Sequence, residues 1–313
     1  MEIAVTIKRF NPIRDEGPYK EEHKISVDGK GRLTILDALQ IIKEREDGGL
    51  SFRCSCRSGI CGSCAVRVNG NEALACTTDI LEISKRYGKV IIEPLKNLNV
   101  IKDLVVDLRP MWDRLKKSGP WLVSDGVQEF KWDKRIQGSL DTSSGCILCG
   151  ACYSDCEAFK VDPDFLGPAV FNKGYRFVID PRDRGRKDRL KRLAESGLWH
   201  CSHCYLCSSI CPKGINPKDS ISYLRNQAYR MGLRDDPGAR YLDGFYRGVK
   251  KRGRLSELLI FLKVKGVNIV KEIPFFSKVL IHGKVPWLKK PILNIDEVRK
   301  IYDIVERRRE ARG

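Results

Sequence analysis

The stretch SFRCSCRSGICGSC, residues 51–64, followed by LAC at 74–76, decides the reading of this chain. Cys56-x4-Cys61-x2-Cys64, then Cys76, is the plant-type [2Fe–2S] spacing. The short spacings let one tight loop present three sulfurs to a compact cluster, while the fourth arrives from a later segment. Arg57-Ser58-Gly59-Ile60 and Gly62 keep the loop small, so that its backbone N–H groups can face the sulfurs and tune the potential. Cys54 stands outside the set, because Cys54-x6-Cys61 is the wrong spacing, and reads as a packed or incidental thiol. A structural zinc site with four thiolates is the alternative, although zinc sites more often pair C-x2-C knuckles across a longer loop.

Outward from this loop, the first hundred residues read as strands around one helix. Glu2 to Arg9 and Tyr19 to Val27 are strand candidates, joined by a turn around Asn11-Pro12. Thr34 caps a helix whose Leu36, Leu39, Ile41 and Ile42 form an apolar face, and Gly48-Gly49 stops it. After the cysteine loop come a strand from Ala65 to Val68, a turn at Val68-Asn69-Gly70, and a last strand from Lys89 to Glu93. A mixed sheet with one covering helix is a β-grasp-like plan. Residues 97–110 form a connector into a helical region containing Trp112, Leu115, Trp121 and Leu122. The stretch from Asp162 to Gly197, with Pro163, Pro168 and Pro181, begins as an irregular excursion and becomes a charged helix from Arg184 to Ser196. Another helix is expected over 217–232, and Pro237 marks a boundary.

Two later cysteine runs share one pattern. Cys146-x2-Cys149-x2-Cys152-x3-Cys156 and Cys201-x2-Cys204-x2-Cys207-x3-Cys211-Pro212 repeat the bacterial ferredoxin run, with Glu157 where proline is usual in the first. In two-cluster ferredoxins the fourth cysteine of each run binds the other cluster. One [4Fe–4S] cluster would then take Cys146, Cys149, Cys152 and Cys211, and the other Cys156, Cys201, Cys204 and Cys207. This exchange ties two distant segments together, so metal loss should loosen the whole domain. His203 lies between ligands and reads as a surface or supporting histidine, not a ligand.

Composition bounds the rest. The chain has 313 residues, 13 cysteines and a formal charge of +18, with 42% apolar residues. That fits two ordinary domains plus an extension: 1–106, 107–235 and 236–313. No apolar run approaches the 18 or so residues of a membrane span. The alternating MEIAVTIKRF start reads as a strand, not a secretory signal. Clustered thiols without a signal point to a reducing compartment and to metal binding. The three blocks to 110, to 235 and to 313 carry net charges of +2, +6 and +10, so more than half of the excess lies in a tail without cysteine. The chain shows no G-x-G-x-x-G fingerprint, no nucleophile elbow and no catalytic dyad. No FAD- or NAD-binding or catalytic residue is assigned, and a second polypeptide should supply the substrate site.

The order of motifs resembles the iron–sulfur subunit of succinate dehydrogenase and fumarate reductase. Beyond the cysteines, the resemblance rests on Arg9-Phe10-Asn11-Pro12, TILDAL (34–39), VIKDLVVD (100–107), CILCGAC (146–152), YRFVIDPRD (175–183) and CPKGINP (211–217). It covers residue 1 to about 235. It implies a partner flavoprotein with covalent FAD that interconverts succinate and fumarate, and electron passage through three clusters in turn toward quinone in a membrane anchor. The [2Fe–2S] set would face the flavin side and the third centre the membrane side. The protein would then be peripheral, on the cytoplasmic face of the cell membrane. Most members have a [3Fe–4S] third centre with an apolar or small residue at the place of Cys204; a cysteine there predicts [4Fe–4S]. The family's quinone-pocket Trp and His are replaced by Val161 and Ser202. These departures resemble archaeal-type variants with cysteine-rich anchors.

GFYRGVKKRGR (244–254), LSELLIFLKVKGVNIV (255–270), IPFFSKVLIHGKVPWLKKP (273–291) and a charged terminal helix make up the tail. It suits an acidic partner, an anionic membrane surface, or a solvated basic face around ordinary packing. Competing functions are a thiol- or heterodisulfide-linked fumarate reductase subunit and a free multi-cluster ferredoxin. Nucleic-acid binding, suggested by the charge, leaves three redox-spaced cysteine sets unexplained, and no nucleic-acid-reading motif is present.

Overall fold

The computed structural model describes residues 2–26, 31–126, 133–162, 164–266, 274, 277–278, 281–282 and 290–310. The chain divides into two compact units, Met1–Gln227 and Ala228–Gly313.

The first unit begins with a five-stranded mixed sheet. Its strands are β1 (Glu2–Arg9), β2 (Tyr19–Ser26), β3 (Ala65–Val68), β4 (Asn71–Leu74) and β5 (Val90–Glu93), in the order β2-β1-β5-β3-β4. β1 and β5 are parallel and the other pairs antiparallel. The period-2 pattern of β1 turns Ile3, Val5 and Ile7 inward. They meet the buried face of α1 (Ile35–Arg45), which supplies Ile35, Leu36, Leu39 and Ile42. Thr34 caps α1 in a reciprocal box with Asp37: the Asp37 N–H donates to Thr34 Oγ1 at 3.2 Å, and the Thr34 N–H to Asp37 Oδ2 at 2.9 Å. The helix ends at Arg45, before the glycine pair.

Arg9 continues the inward series of β1 and is only 6% exposed. Its Nε donates to Asp103 Oδ1 at 3.0 Å, and its Nη1 to Asp47 Oδ2 at 2.5 Å and to Glu21. Asp103 also accepts from the backbone N–H of Phe10 at 3.2 Å and of Ser51 at 2.9 Å. One buried ion pair thus joins the end of β1, the approach to the cysteine loop, and a two-stranded hairpin of β6 (Val100–Lys102) and β7 (Val105–Val106).

The helical part follows. α2 (Ile80–Tyr87) lies in the first region; α3 (Arg109–Lys117), α4 (Lys134–Ser144), α5 (Ala151–Ser154), α6 (Glu157–Val161), α7 (Pro168–Ile179), α8 (Arg186–Glu195), α9 (Leu206–Ser209) and α10 (Pro217–Arg230) come after it. α7 is the centre, packed by α3, α4, α5 and α8. It replaces part of the expected irregular excursion: Pro168 sits at a helix start, where its missing N–H costs nothing. β4, α2 and the β6–β7 hairpin are additions to the elements expected from sequence, and Trp121 and Leu122 fall beyond the end of α3.

The segment after α3 is fastened by Arg189, whose side chain is fully buried with that of Asp183. Arg189 Nε donates to Asp183 Oδ2 at 3.1 Å, its Nη2 to Trp121 O at 2.8 Å, and its Nη1 to Gly119 O. Asp183 Oδ1 also accepts from the Val123 N–H at 3.0 Å.

The second unit contains α11 (Pro237–Arg252), α12 (Glu257–Lys265) and α13 (Ile295–Glu310). Gly244 lets α11 and α12 meet closely, since a methyl group there would stand 2.9 Å from Ile260 Cα. Lys250 bridges Asp303 at 3.2 Å and Glu306 at 2.8 Å, joining α11 to α13. Most of the expected segment 273–291 lies outside the described residues.

Arg189→Met would leave Asp183 as an uncompensated buried charge and is expected to cost about 3–5 kcal/mol of stability. Arg189→Met combined with Asp183→Leu should recover most of that loss. Denaturant unfolding of the metal-loaded protein measures both; an equal loss in the double variant would show that the ion pair is not the cause.

Candidate iron–sulfur sites

The first cysteine loop runs between α1 and β3 in a backbone of alternating hand. Arg57, Gly59 and Gly62 have φ of 53°, 67° and 73°. Successive residues of opposite hand turn their N–H groups to one side, making a concavity that favours negative charge. The N–H groups of Ser58, Ile60 and Cys61 donate to Cys56 Sγ at 3.4, 3.3 and 3.3 Å, and that of Gly59 to Cys76 Sγ at 3.3 Å. Cys76 follows β4 and reaches the loop from the side of the sheet. Cys64 is pushed up to about 12 by burial, with the neighbouring Cys76 and Cys61 adding to the rise. Cys61 is drawn down to about 6, chiefly by the Ser63 hydroxyl, whose oxygen is 3.1 Å from its sulfur. Cys54 is exposed, so it is not a packed thiol.

The two later runs adopt one shape. Leu148 and Gly150 have φ of 52° and 86°; His203 and Tyr205, at the equivalent places, have φ of 58° and 66°. In each run a backbone N–H two residues on faces the sulfur before it: Leu148 for Cys146, Ala151 for Cys149, and His203 for Cys201. A left-handed φ is costly for a side chain such as leucine, histidine or tyrosine, and persists where surroundings impose it.

The sulfurs gather across the runs. Burial pushes Cys149 up to about 11, and Cys146 and Cys211 add to the rise. Burial raises Cys152 well above its ordinary value, and Cys149, Cys146, Cys207 and Cys211 reinforce it. Cys156 rises to about 11 through burial, with Cys201 and Cys204 contributing, and Cys207 to about 12 through burial with Cys201, Cys156 and Cys204. One cavity is lined by Cys156, Cys201, Cys204 and Cys207, with Phe165 and Pro168 among its walls. Cys156 and Cys211 therefore each stand among the sulfurs of the other run.

Among the described residues no group of three or more His, Cys, Asp or Glu is set to hold a single metal ion. A cluster makes a different demand, because its four thiolates are divided among two or four irons and need not converge on one point. The donor set suits such a group: buried thiols that raise one another need cations to ionise together, and backbone N–H groups already face the sulfurs.

The loops also touch one another. A methyl group on Gly62 would lie 2.8 Å from Cys149 Cβ and 3.2 Å from Ile147 Cδ1, so the first cysteine loop rests on the second. His203 Nε2 is 2.9 Å from Arg225 Nη1; since arginine only donates, Nε2 is the acceptor. Burial, and then the charges of Arg225 and Lys218, bring His203 down to about 4. Arg225 also donates to Leu198 O at 2.8 Å and Cys201 O at 2.7 Å, while Lys173 Nζ donates to Cys146 O at 2.8 Å. Spacing singles out neither Arg225 nor Lys173, and nothing but their place opposite the cysteine runs marks them. Val161 is 75% exposed and Ser202 is also exposed.

Residues 4–113 match the family model described as a 2Fe-2S iron-sulfur cluster binding domain, and residues 142–215 that of a 4Fe-4S dicluster domain. Fold and sites thus define a [2Fe–2S]-binding domain followed by a helical [4Fe–4S]-binding domain. The chain is 35% identical over 280 residues to the 8-methylmenaquinol:fumarate reductase iron-sulfur subunit of Wolinella succinogenes, covering 85% of this chain and 86% of that one. A subunit of the CoM/CoB fumarate reductase of Methanothermobacter marburgensis is 34% identical over 304 residues, 94% of this chain and 58% of that one. A chain of the solved Mycobacterium smegmatis Sdh1 complex in the apo form shares the fold, with a TM-score of 0.65 at 21% identity over 73% of this chain and 96% of that one. The chain belongs to the family of succinate dehydrogenase and fumarate reductase iron–sulfur subunits. The match over 94% of the chain reaches well into residues 236–313, so the tail is shared with at least one relative.

Gly62→Ala tests the contact between loops. Its left-handed φ and the approach of Cys149 should together cost about 1–3 kcal/mol. Thermal unfolding of the anaerobically prepared protein checks this; an unchanged midpoint would mean that the loops are not in close contact.

Proposed function

We propose that this chain is the electron-transfer subunit of a succinate:quinone oxidoreductase, holding one [2Fe–2S] and two [4Fe–4S] clusters. Cys56, Cys61, Cys64 and Cys76 would hold the first. Cys146, Cys149, Cys152 and Cys211 would hold the second, and Cys156, Cys201, Cys204 and Cys207 the third. Bound there, the clusters supply single-electron carriers. The chain's own residues set the terms: the backbone N–H groups of 58–61 stabilise thiolate charge, Ser63 lowers Cys61, and Gly62 brings two loops into contact. Arg225 and Lys173 bind the carbonyls of ligand residues and place positive charge beside them. The observation that carries the reading is the gathering of Cys156 with Cys201, Cys204 and Cys207 around one cavity.

The domain division 1–106, 107–235 and 236–313 belongs to this proposal, as do its partners. A flavoprotein subunit with FAD would hold the succinate site, and a membrane anchor, cysteine-rich in the archaeal manner, would lead to the quinone pool. Among the described residues no helix is long and apolar enough to cross a membrane. In this reading those partners would hold the chain at the cytoplasmic face of the cell membrane.

Isolation of the native complex without oxygen tests the assignment. Iron and labile sulfide in equal amounts, no zinc, and a co-purifying flavoprotein are expected; zinc without sulfide would overturn it. The oxidised protein should show no intrinsic three-iron resonance by electron paramagnetic resonance, and Cys204→Ser should create one. A strong three-iron signal in the unaltered protein would exclude the fourth ligand.

A second reading is a thiol-linked fumarate reductase. It is favoured by the alignment of 94% of the chain with a CoM/CoB-named relative, although the chain spans only 58% of that protein. The purified complex, given fumarate with a menaquinol analogue or with a dithiol donor, should prefer the quinol. Faster turnover with the dithiol would favour the second reading.

A further inference from the structure

The second unit contains a cavity of about 420 Å³ lined by Arg234, Arg240, Arg247, Lys263, Leu262 and one acid, Asp243. All of these residues belong to that unit, whereas every cysteine falls within Met1–Gln227. The acid is 6% exposed and already saturated. Its Oδ1 accepts from Tyr229 Oη at 2.5 Å and from Arg247 Nε at 3.1 Å; its Oδ2 accepts from Lys263 Nζ at 2.9 Å and from Arg247 Nε at 3.0 Å. Asp243 therefore fixes Arg247 and Lys263 in place without using up their donors. Among the described residues, the two terminal nitrogens of the Arg247 guanidinium and two Lys263 protons have no other partner.

Arg234 is held in another way. Its guanidinium lies 3.9 Å from the centre of the Tyr229 ring, and its Nε donates to Tyr229 O at 3.1 Å. Arg240 has no hydrogen-bond or ion-pair partner for its side chain among the described residues, and a methyl on Gly266 would stand 3.7 Å from its Nη1. Four cations and one carboxylate leave an excess of three positive charges around one concave volume. Apart from the occupied carboxylate, the polar side-chain groups lining it only donate. Guanidinium forks match the oxygens of phosphate in pairs, and lysine adds a point charge.

We propose that this cavity is a binding site for a phosphate group, either a free phosphate ester or the headgroup of an anionic phospholipid. Arg240 makes the principal contact, with Lys263, Arg247 and Arg234 around it. The site is independent of the electron-transfer reading and would stand or fall by itself.

The full-length, cluster-loaded chain is titrated calorimetrically with glycerol 3-phosphate and inorganic pyrophosphate at fixed ionic strength. It is also co-sedimented with phosphatidylcholine vesicles with and without phosphatidic acid. Binding is expected, and Arg240→Gln should weaken it roughly tenfold, the loss that follows from one charged hydrogen bond. Lys263→Gln, read in the same way, gives a second measure, with far-ultraviolet circular dichroism confirming that each variant folds. Lys251→Gln removes an equal charge from an exposed place on α11 and should change affinity by less than about twofold. Binding of the soluble phosphates without added affinity for phosphatidic acid vesicles supports a free phosphate ligand. Tight vesicle binding with weak ester binding supports a lipid headgroup. No binding to any probe, or an equal loss in Lys251→Gln and Arg240→Gln, overturns the proposal.

Discussion

The structure depends on a crossing. Cys156 ends the first run yet stands with Cys201, Cys204 and Cys207, and Cys211 ends the second yet stands with Cys146, Cys149 and Cys152. Neither half can form its sulfur group alone. The segment between the runs, with α7 and the Arg189–Asp183 pair, is the connection that brings them together. The crossing also opposes itself, because buried thiols raise one another. The same arrangement that is unfavourable for bare thiolates is favourable for thiolates bound to iron, which couples the folding of this region to metal.

Spacing in the sequence carries this well, because short cysteine intervals can close only as tight loops. The short cysteine intervals and the capping by Thr34 rest on contacts within a few residues, and the strands Glu2–Arg9 and Ala65–Val68 show in the residue pattern along one segment. What spacing does not carry is contact between loops. Gly62 reads as a residue that keeps its own loop small, whereas its lack of a side chain also admits Cys149 of another loop. Arg9 reads as part of a motif, yet its partner Asp103 lies 94 residues away. Such pairs are invisible without tertiary structure.

The elements that escape a sequence reading do so for local reasons. β4, Asn-Glu-Ala-Leu, has no β-branched or aromatic residue, and α2 is eight residues with only Ile80 buried, so neither stands out from its flanks. α7 is hidden by the proline at its start. Pro168 reads as a breaker, but at the first helical turn it has no donor to lose, and the next residues, AVFNKGYRFVI, then bury Val170, Phe171, Phe177 and Val178. Gly174 inside that helix is the place where Leu193 of α8 comes within 2.6 Å of where a methyl would stand.

Charge gives the tail a different standing once the proposed clusters are counted. Each carries about −2 with its thiolates in the oxidised state. The first block, at +2, then approaches neutrality, and the second, at +6 with two clusters, retains about +2. The tail keeps its whole +10. With those proposed clusters the excess positive charge of the cysteine-bearing region is largely matched internally, and Lys173 and Arg225 on the carbonyls of Cys146 and Cys201 are its local expression. That of the tail has no such internal match. Three of its cations, joined by Arg234 just ahead of it, surround a single carboxylate that is already fully hydrogen-bonded, and an anion from outside the chain is the group whose chemistry completes them.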